Sequence, residues 1–462
     1  MQARTTIIGG TIAAVILLPL LLLFAAGVTA GGRTDTADGK LAGRTDNVAG
    51  VVAEPGIFNI ELGDLFVKPG NIEVEPGQVV KLNVVNNGSV RHDLKLEGET
   101  GTDMLDPGES GTIEIGPFDG PALMWCTIPG HKQAGMVLEI AVKGVAADNG
   151  HNGHAAAEGV DNAAKIDPQA TPAADWKPFD AALKPAPGGT EHKITMSAGE
   201  TVLEVAPGVT QEMWTFNGQV PGPILRARVG DIITLTLRND GKMGHSMDFH
   251  ASKVAWNDEM RTINPGEELV YQFEAKHSGI FMYHCGTAPA LHHIGNGMFG
   301  AIIVDPPNLP AVDKEFVFVQ SEFYLGPEGE PGDLTKMQND AWDIVVFNGY
   351  HNQYTHAPIR VEAHERIRVW VLDAGPSENS SFHIVGTIFD TMYKEGAYWL
   401  QPDETHGGAQ ALDLQPAQGG FVEFTFDEEG LYPFLTHKFS NAGKGAMGIF
   451  QAGDVEFTGG GH

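Results

Sequence analysis

A chain of 462 residues has room for about three domains, and 42% hydrophobic with 19% charged content belongs to core-forming globular units. A formal net charge of −30 excludes a nucleic-acid scaffold and docking on anionic lipid, because both need a basic face. Glycine-rich turns between short Val/Ile/Phe runs point to an all-β protein.

In chain order the first feature is apolar. Arg4 precedes a run from Ile7 to Ala26, and Val28-Thr29-Ala30 has the small-residue form of a cleavage site. Residues 1–30 are therefore expected to export the chain, as a signal peptide or an N-terminal membrane anchor. The destination is the periplasm or the outer face of the cytoplasmic membrane. No Cys lies near the run, which excludes a lipoprotein anchor. Residues 31–54 are polar and Gly-rich and read as a flexible tether. Strand patterns such as "GIFNIEL", "VVKLNVVNN" and "MVLEIAVKG" fill 55–144. Residues 145–190 are an Ala/Gly/Pro linker, in which His151 and His154 read as solvated. Strand patterns resume over 191–306. After the boundary "DPPNLPAVDKEF" they continue over 307–455, leaving a tail at 456–462.

These three segments repeat one plan. "FNGQVPGPILRARVGDIITLTLRND" parallels "FNGYHNQYTHAPIRVEAHERIRVWVLDA". Each is followed by a His-bearing strand, then by "GEELVYQFEAKHSGIFMYH" or "GGFVEFTFDEEGLYPFLTH", and closes on "GMFGAIIV" or "GAMGIFQA". The first segment follows with "IEVEPGQVVKLNVVNNGSVRHDL", "ESGTIEIGPFDGPALMWC" and "AGMVLEIAV". Three tandem copies of a β-sandwich account for the length.

Cys126 and Cys285 are the only cysteines. A disulfide in an exported chain is the bland reading. Against it, each Cys sits in its own His/Met cluster. The first copy has His92 in "RHDL" and then Cys126, His131 and Met136 in "WCTIPGHKQAGM", spaced C-x4-H-x4-M. Two imidazoles, a thiolate and a weak thioether are the ligand set of an electron-transfer copper site. This stretch resembles the small blue copper proteins, the cupredoxins, so the fold expected is three tandem cupredoxin-like Greek-key sandwiches. The second copy repeats the set with His245, Cys285, His293 and Met298, over a C-x7-H-x4-M loop. The His-x4-Met spacing favours His293 as the ligand, with His292 read as its neighbour.

An extra His precedes Cys285. Side chains alternate faces along a strand, so His284 and Cys285 point opposite ways. His245 and His250, five apart, do the same if the backbone between them is extended. With His245 at the Cys285 site, His250 and His284 share the far side, and Asp248 has the parity of His250. Two metal sites are thus expected back to back across one peptide bond. The third copy lacks the Cys and Met pair but keeps His383 in "SSFHIVGTIFD" and His437 in "YPFLTHKFSNAGKGAMG". A three-His site with an open position can bind and activate a small ligand, and an Asp with a further His can supply protons.

"HSMDFHAS", "YHCGTAPALHHIGNGM", "VVFNGYH", "SSFHIVGTIFD" and "GKGAMG" closely resemble the copper-containing, NO-forming nitrite reductases, over about residues 190 to 455. The resemblance implies that His245, Cys285, His293 and Met298 hold an electron-accepting type 1 copper. It implies that His250, His284 and His437 hold the catalytic type 2 copper, with Asp248 and His383 as the acid–base pair. Val385 falls where the family places a bulky aliphatic side chain over the copper. His437 would reach a neighbouring subunit, giving a homotrimer. The N-terminal cupredoxin, with its own type 1 copper at His92, Cys126, His131 and Met136, departs from the two-domain members, and brings the expected copper content to three per chain. The implied role is an oxidoreductase of denitrification and nitrogen metabolism, fed by a c-type cytochrome or cupredoxin donor. A basic donor face would suit the acidic chain.

Two other functions compete. A multicopper oxidase reducing O2 needs His-x-His pairs and a His-Cys-His, whereas this chain has "HCG" and no His-x-His. A non-enzymatic copper electron carrier explains Cys126 and Cys285 but leaves His250, His284, His383 and His437 without a role.

Overall fold

A computed structural model describes residues 56–64, 66–132, 135–145, 162–402 and 407–456. The export segment, the tether, the first part of the linker with His151 and His154, and residues 457–462 of the tail lie outside the described residues. No helix among the described residues is long and apolar enough to cross a membrane.

Among the described residues six sheets pair into three sandwiches, and the same two parallel pairings recur in each. In one sheet of each, Ile57–Gly63 runs parallel to Gln78–Asn86, Glu191–Ala206 to Ile232–Asn239, and Lys314–Phe323 to Ile367–Gly375. In the facing sheet, Asn71–Val74 runs parallel to Val137–Val142, Leu225–Arg228 to Phe299–Asp305, and Ala357–Val361 to Met447–Ala452. The cupredoxin-like, all-β architecture is therefore present three times.

Period-two patterning builds the first sandwich. Along Gln78–Asn86, Val80, Leu82 and Val84 turn inward while Val79, Lys81 and Asn83 turn out, as a sheet with one wet face requires. The second and third sandwiches differ because they share a core. Val205, Met213, Ile280, Met282, Phe299 and Ile303 of the second pack with Val317, Val319, Trp370, Leu372 and Phe421 of the third. Gly279–His284 is consequently apolar on both faces: Ile280 and Met282 face this junction, and Tyr283 and Cys285 face the second sandwich's own core. Burial on both sides fixes the orientation of the strand that carries His284 and Cys285.

The latter half of the linker is held against these two sandwiches. Ile166 and Leu183 pack on the shared core, the Leu183 N–H donates to the Glu315 carbonyl, and Arg228 donates to the Pro187 carbonyl.

Candidate metal centres

The thiolate centre of the first sandwich begins where Ala122–Trp125 ends. The donor atoms of His92, Cys126 and His131 all lie within 4.8 Å of one another. His92 Nδ1 is 3.8 Å from Cys126 Sγ, and the two imidazole centroids are 5.1 Å apart. Met136 is fully buried in the same core. The Cys126 N–H donates to the Met136 carbonyl and the Met136 N–H to the His131 carbonyl, which closes the ligand loop.

The second sandwich repeats this closure. The Cys285 N–H donates to the Met298 carbonyl and the Met298 N–H to the His293 carbonyl. The extra residues of the C-x7-H loop are taken up by a short helix, Ala290–Gly295. His245, Cys285 and His293 converge, with Sγ 4.0 Å from His245 Nδ1 and 3.3 Å from His293 Nδ1. Met298 is fully buried beside them. His292 turns away: its Nε2 donates to the Gly332 carbonyl at 3.2 Å and its ring lies edge-on to Trp214. The cluster thus takes His293 and leaves His292 out.

These sites suit a metal. His131 Nδ1 is buried with no hydrogen-bond partner among the described residues, a costly state that a metal bond would relieve. Burial pushes the pKa values of His131 and His293 down to about 3, so both rings are neutral and ready to ligate. Burial would also raise both thiols. At Cys285 the His245 ring, by hydrogen bond and charge, and the Ser246 and Thr287 backbone overcome it, and the thiol lies below its ordinary value. At Cys126 burial prevails, aided by the Asp93 carboxylate, and the thiol is pushed up to about 12.

Sequence reasoning missed the carboxylates behind the ligands. Asp64 Oδ1 lies 3.4 Å from His92 Nε2, and Glu200 Oε1 lies 3.9 Å from His245 Nε2. At His92 a carboxylate within hydrogen-bond reach of the far nitrogen can orient the imidazole and raise its basicity as a ligand, whereas Glu200 stands off His245 as a nearby charge without a hydrogen bond. Neither residue is near its His in sequence, so no spacing motif marks it.

The third cluster lies behind Cys285. Asp248 is the register partner of His284, and Asp248, His250 and His284 have donor atoms within 4.8 Å of one another. Only Asp248–Phe249 of the 245–250 stretch is strand, yet the faces fall as alternation predicts. The His284 Nδ1–H donates to the Cys285 carbonyl at 3.0 Å, which leaves its Nε2 for the site. That Nε2 is 3.0 Å from His250 Nε2 and 4.0 Å from Asp248 Oδ2. His250 keeps an exposed edge, but desolvation of its ring, and then the neighbouring His284, hold its pKa below the ordinary value.

His437 and His383 stand apart from that cluster. They pair on the third sandwich, ring centroids 5.3 Å apart, beyond the end of Gly430–Thr436 and on Ser380–Ile384. His437 is exposed, and the His383 Nδ1–H donates to the Gln410 carbonyl. Val385 is 44% exposed nearby in sequence, with Ile388 and Phe439 also exposed. Among the described residues, only Asp248 joins His250 and His284 within metal-ligand reach.

A family profile described as multicopper oxidase matches residues 198–309. The copper-containing nitrite reductase of Neisseria gonorrhoeae is 34% identical over 275 residues, spanning 57% of this chain and 69% of the relative. Among solved structures, a copper nitrite reductase from Nitrosomonas europaea is 34% identical with a TM-score of 0.52, covering 58% of this chain and 95% of the other. A copper-containing nitrite reductase from Thermus scotoductus is 31% identical with a TM-score of 0.51, covering 57% and 62%.

Proposed function

The chain belongs to the copper-containing nitrite reductases, and on that premise we propose that it reduces nitrite to nitric oxide and water at a three-His copper site completed between subunits of a homotrimer. The observation that carries this reading is the pair of ligand clusters set on opposite sides of the His284–Cys285 peptide. Bound copper would supply one-electron redox chemistry at the two thiolate sites and a Lewis-acid seat for nitrite at His250, His284 and His437. The remaining chemistry belongs to the chain. One continuous covalent path through the His284–Cys285 peptide joins the Cys285 thiolate to the His284 ring, so the electron need not cross a gap between side chains.

Reducing nitrite to NO and water consumes two protons. Asp248, level with His284 across the strand pair, would pass one on through its carboxyl. His383, anchored through Nδ1, presents its Nε2 to deliver the other. Val385 supplies an aliphatic wall over the substrate. The third ligand, His437, sits exposed on a different sandwich from His250 and His284, with exposed Val385, Ile388 and Phe439 on the same sandwich. Such a surface is what a neighbouring subunit would cover. The multicopper oxidase profile covers most of one sandwich and little beyond it, and the His-x-His pairs of an O2-reducing cluster are missing from the sequence.

Copper analysis with nitrite-dependent NO release tests the reading, with about three coppers per chain expected from its three ligand sets. His284→Ala should lose one copper and all NO formation while both blue thiolate absorptions persist. Undiminished nitrite turnover in a variant shown to lack that copper would overturn the assignment.

A further inference from the structure

The first sandwich sits with its ligand loop on the second. Ile128 packs into both hydrophobic cores. Gly130 lies so close that a Cβ there would fall 2.1 Å from His292 Nδ1. One crevice is lined by Ile128, Pro129 and His131 from the first sandwich and by Met243, Thr287 and His293 from the second. His131 and His293, each the second imidazole of its centre, are both only 3% exposed. A protein donor approaching from solvent therefore finds neither ligand edge at the surface.

The internal repeat shows another way in. Trp125 precedes Cys126 as His284 precedes Cys285, and the register agrees: Lys95 lies across from Trp125 as Asp248 lies across from His284. Trp125 thus points away from the first centre, on the face that serves as the outlet in the second sandwich. Its ring is half-buried, with the Lys132 ammonium 3.4 Å from its centroid. A second substitution within the repeat gives direction. The residue after the first His ligand is Asp93 in one copy and Ser246 in the other. Asp93 accepts hydrogen bonds from the Thr127 N–H and hydroxyl, directly beside Cys126, whereas Ser246 accepts from the Gly286 N–H beside Cys285. A carboxylate beside the thiolate would favour the more positive, oxidised state, which would set the first centre's potential below the second's.

We propose that the first thiolate centre is an in-line electron relay, loaded by an external one-electron protein donor at Trp125 and discharged through His131 to His293. The proposal rests on both thiolate sites holding copper, as in the reading above. The donor is oxidised as the first centre is reduced. The first centre is then reoxidised as the second is reduced, with no bond made or broken and no proton moved.

The test uses the copper-loaded full chain without nitrite, so its failure would leave the nitrite-reducing reading standing. Single Cys126→Ser and Cys285→Ser variants supply the reference spectrum of each centre. Redox titration of the two absorptions should place the first centre lower, and Asp93→Asn should raise that potential alone. Anaerobic mixing with less than one equivalent of a reduced c-type cytochrome should bleach the first centre, then the second, in a phase independent of protein concentration. Trp125→Leu should keep both absorptions yet slow the cytochrome step by about tenfold or more, with Trp125→Phe restoring it. A Cys126→Ser variant whose remaining centre takes cytochrome electrons at the wild-type rate would overturn the relay. A second phase that scales with protein concentration would also overturn it.

Discussion

His284 joins two duties in one ring. Its backbone belongs to the thiolate site through Cys285, and its Nε2 belongs to the cluster behind, because Nδ1 is committed to the Cys285 carbonyl. Asp248 and His383 have no such double role. Asp248 lies 4.0 Å from His284 Nε2, too far to share its proton directly, and His383 is on another sandwich. If they carry protons and do not ligate, Asp248→Asn and His383→Asn keep full copper content. Their turnover then falls by roughly 10²- to 10⁴-fold, the usual weight of positioned proton transfer. Metal analysis beside steady-state NO formation separates the roles, and copper lost with activity would make either residue a ligand. The His, Cys and Met positions were legible because three rare ligand types recur in the same order in two copies, with the His-x4-Met interval kept. Asp64, Glu200 and Asp93 were not. Asp and Glu are common, and only the folded chain shows which of them reach an imidazole or a thiolate.

At the scale of single strands, alternation was readable where one face is wet, as in Gln78–Asn86. It fails in Ile367–Gly375, where every residue is buried between the third sandwich's own core and the junction with the second. Polar groups trapped at that depth carry a testable consequence. Glu322, at the buried end of Lys314–Phe323, accepts from the Ser377 and Glu378 N–H groups and the Tyr324 hydroxyl, yet its Oε2 has no partner among the described residues. Burial, outweighing those hydrogen bonds, raises its pKa to about 7. Nearby Asp373 is raised as well, by burial and then by Glu322. A carboxyl with a raised folded-state pKa holds its proton more tightly in the native state than in the unfolded one. Its full stability is present below the unfolded value and declines as pH climbs toward about 7. Thermal unfolding should therefore soften as pH rises from about 4.5 to about 7, with Glu322 contributing roughly 3 kcal/mol of that loss. Glu322→Gln should flatten that slope in a calorimetric pH series. An unchanged slope would mean that Glu322 stays ionised.

Across the whole molecule, the sequence showed three sandwiches but not their mutual docking, because contacts between sandwiches leave no periodic trace. The linker read as a spacer, yet 162–190 is laid along the second and third sandwiches. The homotrimer is what the family resemblance implies. One chain presents His250 and His284 with Asp248 on one sandwich, and an exposed His437 with His383 on another. If the catalytic site forms between neighbours, two inactive variants should rescue each other. His284→Ala lacks a ligand from the first half-site and His437→Ala lacks one from the second. When both chains are expressed together, a site is whole only where an intact His284 from one chain meets an intact His437 from the next. Each condition holds with an even chance in a randomly mixed ring, so roughly a quarter of the sites are complete. NO formation should recover to roughly that fraction of the wild-type rate, together with a matching fraction of the third copper. Each variant alone stays silent, and mixing the two as separately assembled oligomers restores nothing until subunits exchange. A site built within one chain gives the opposite outcome: every chain in the mixture carries a broken site, and coexpression recovers no activity at all.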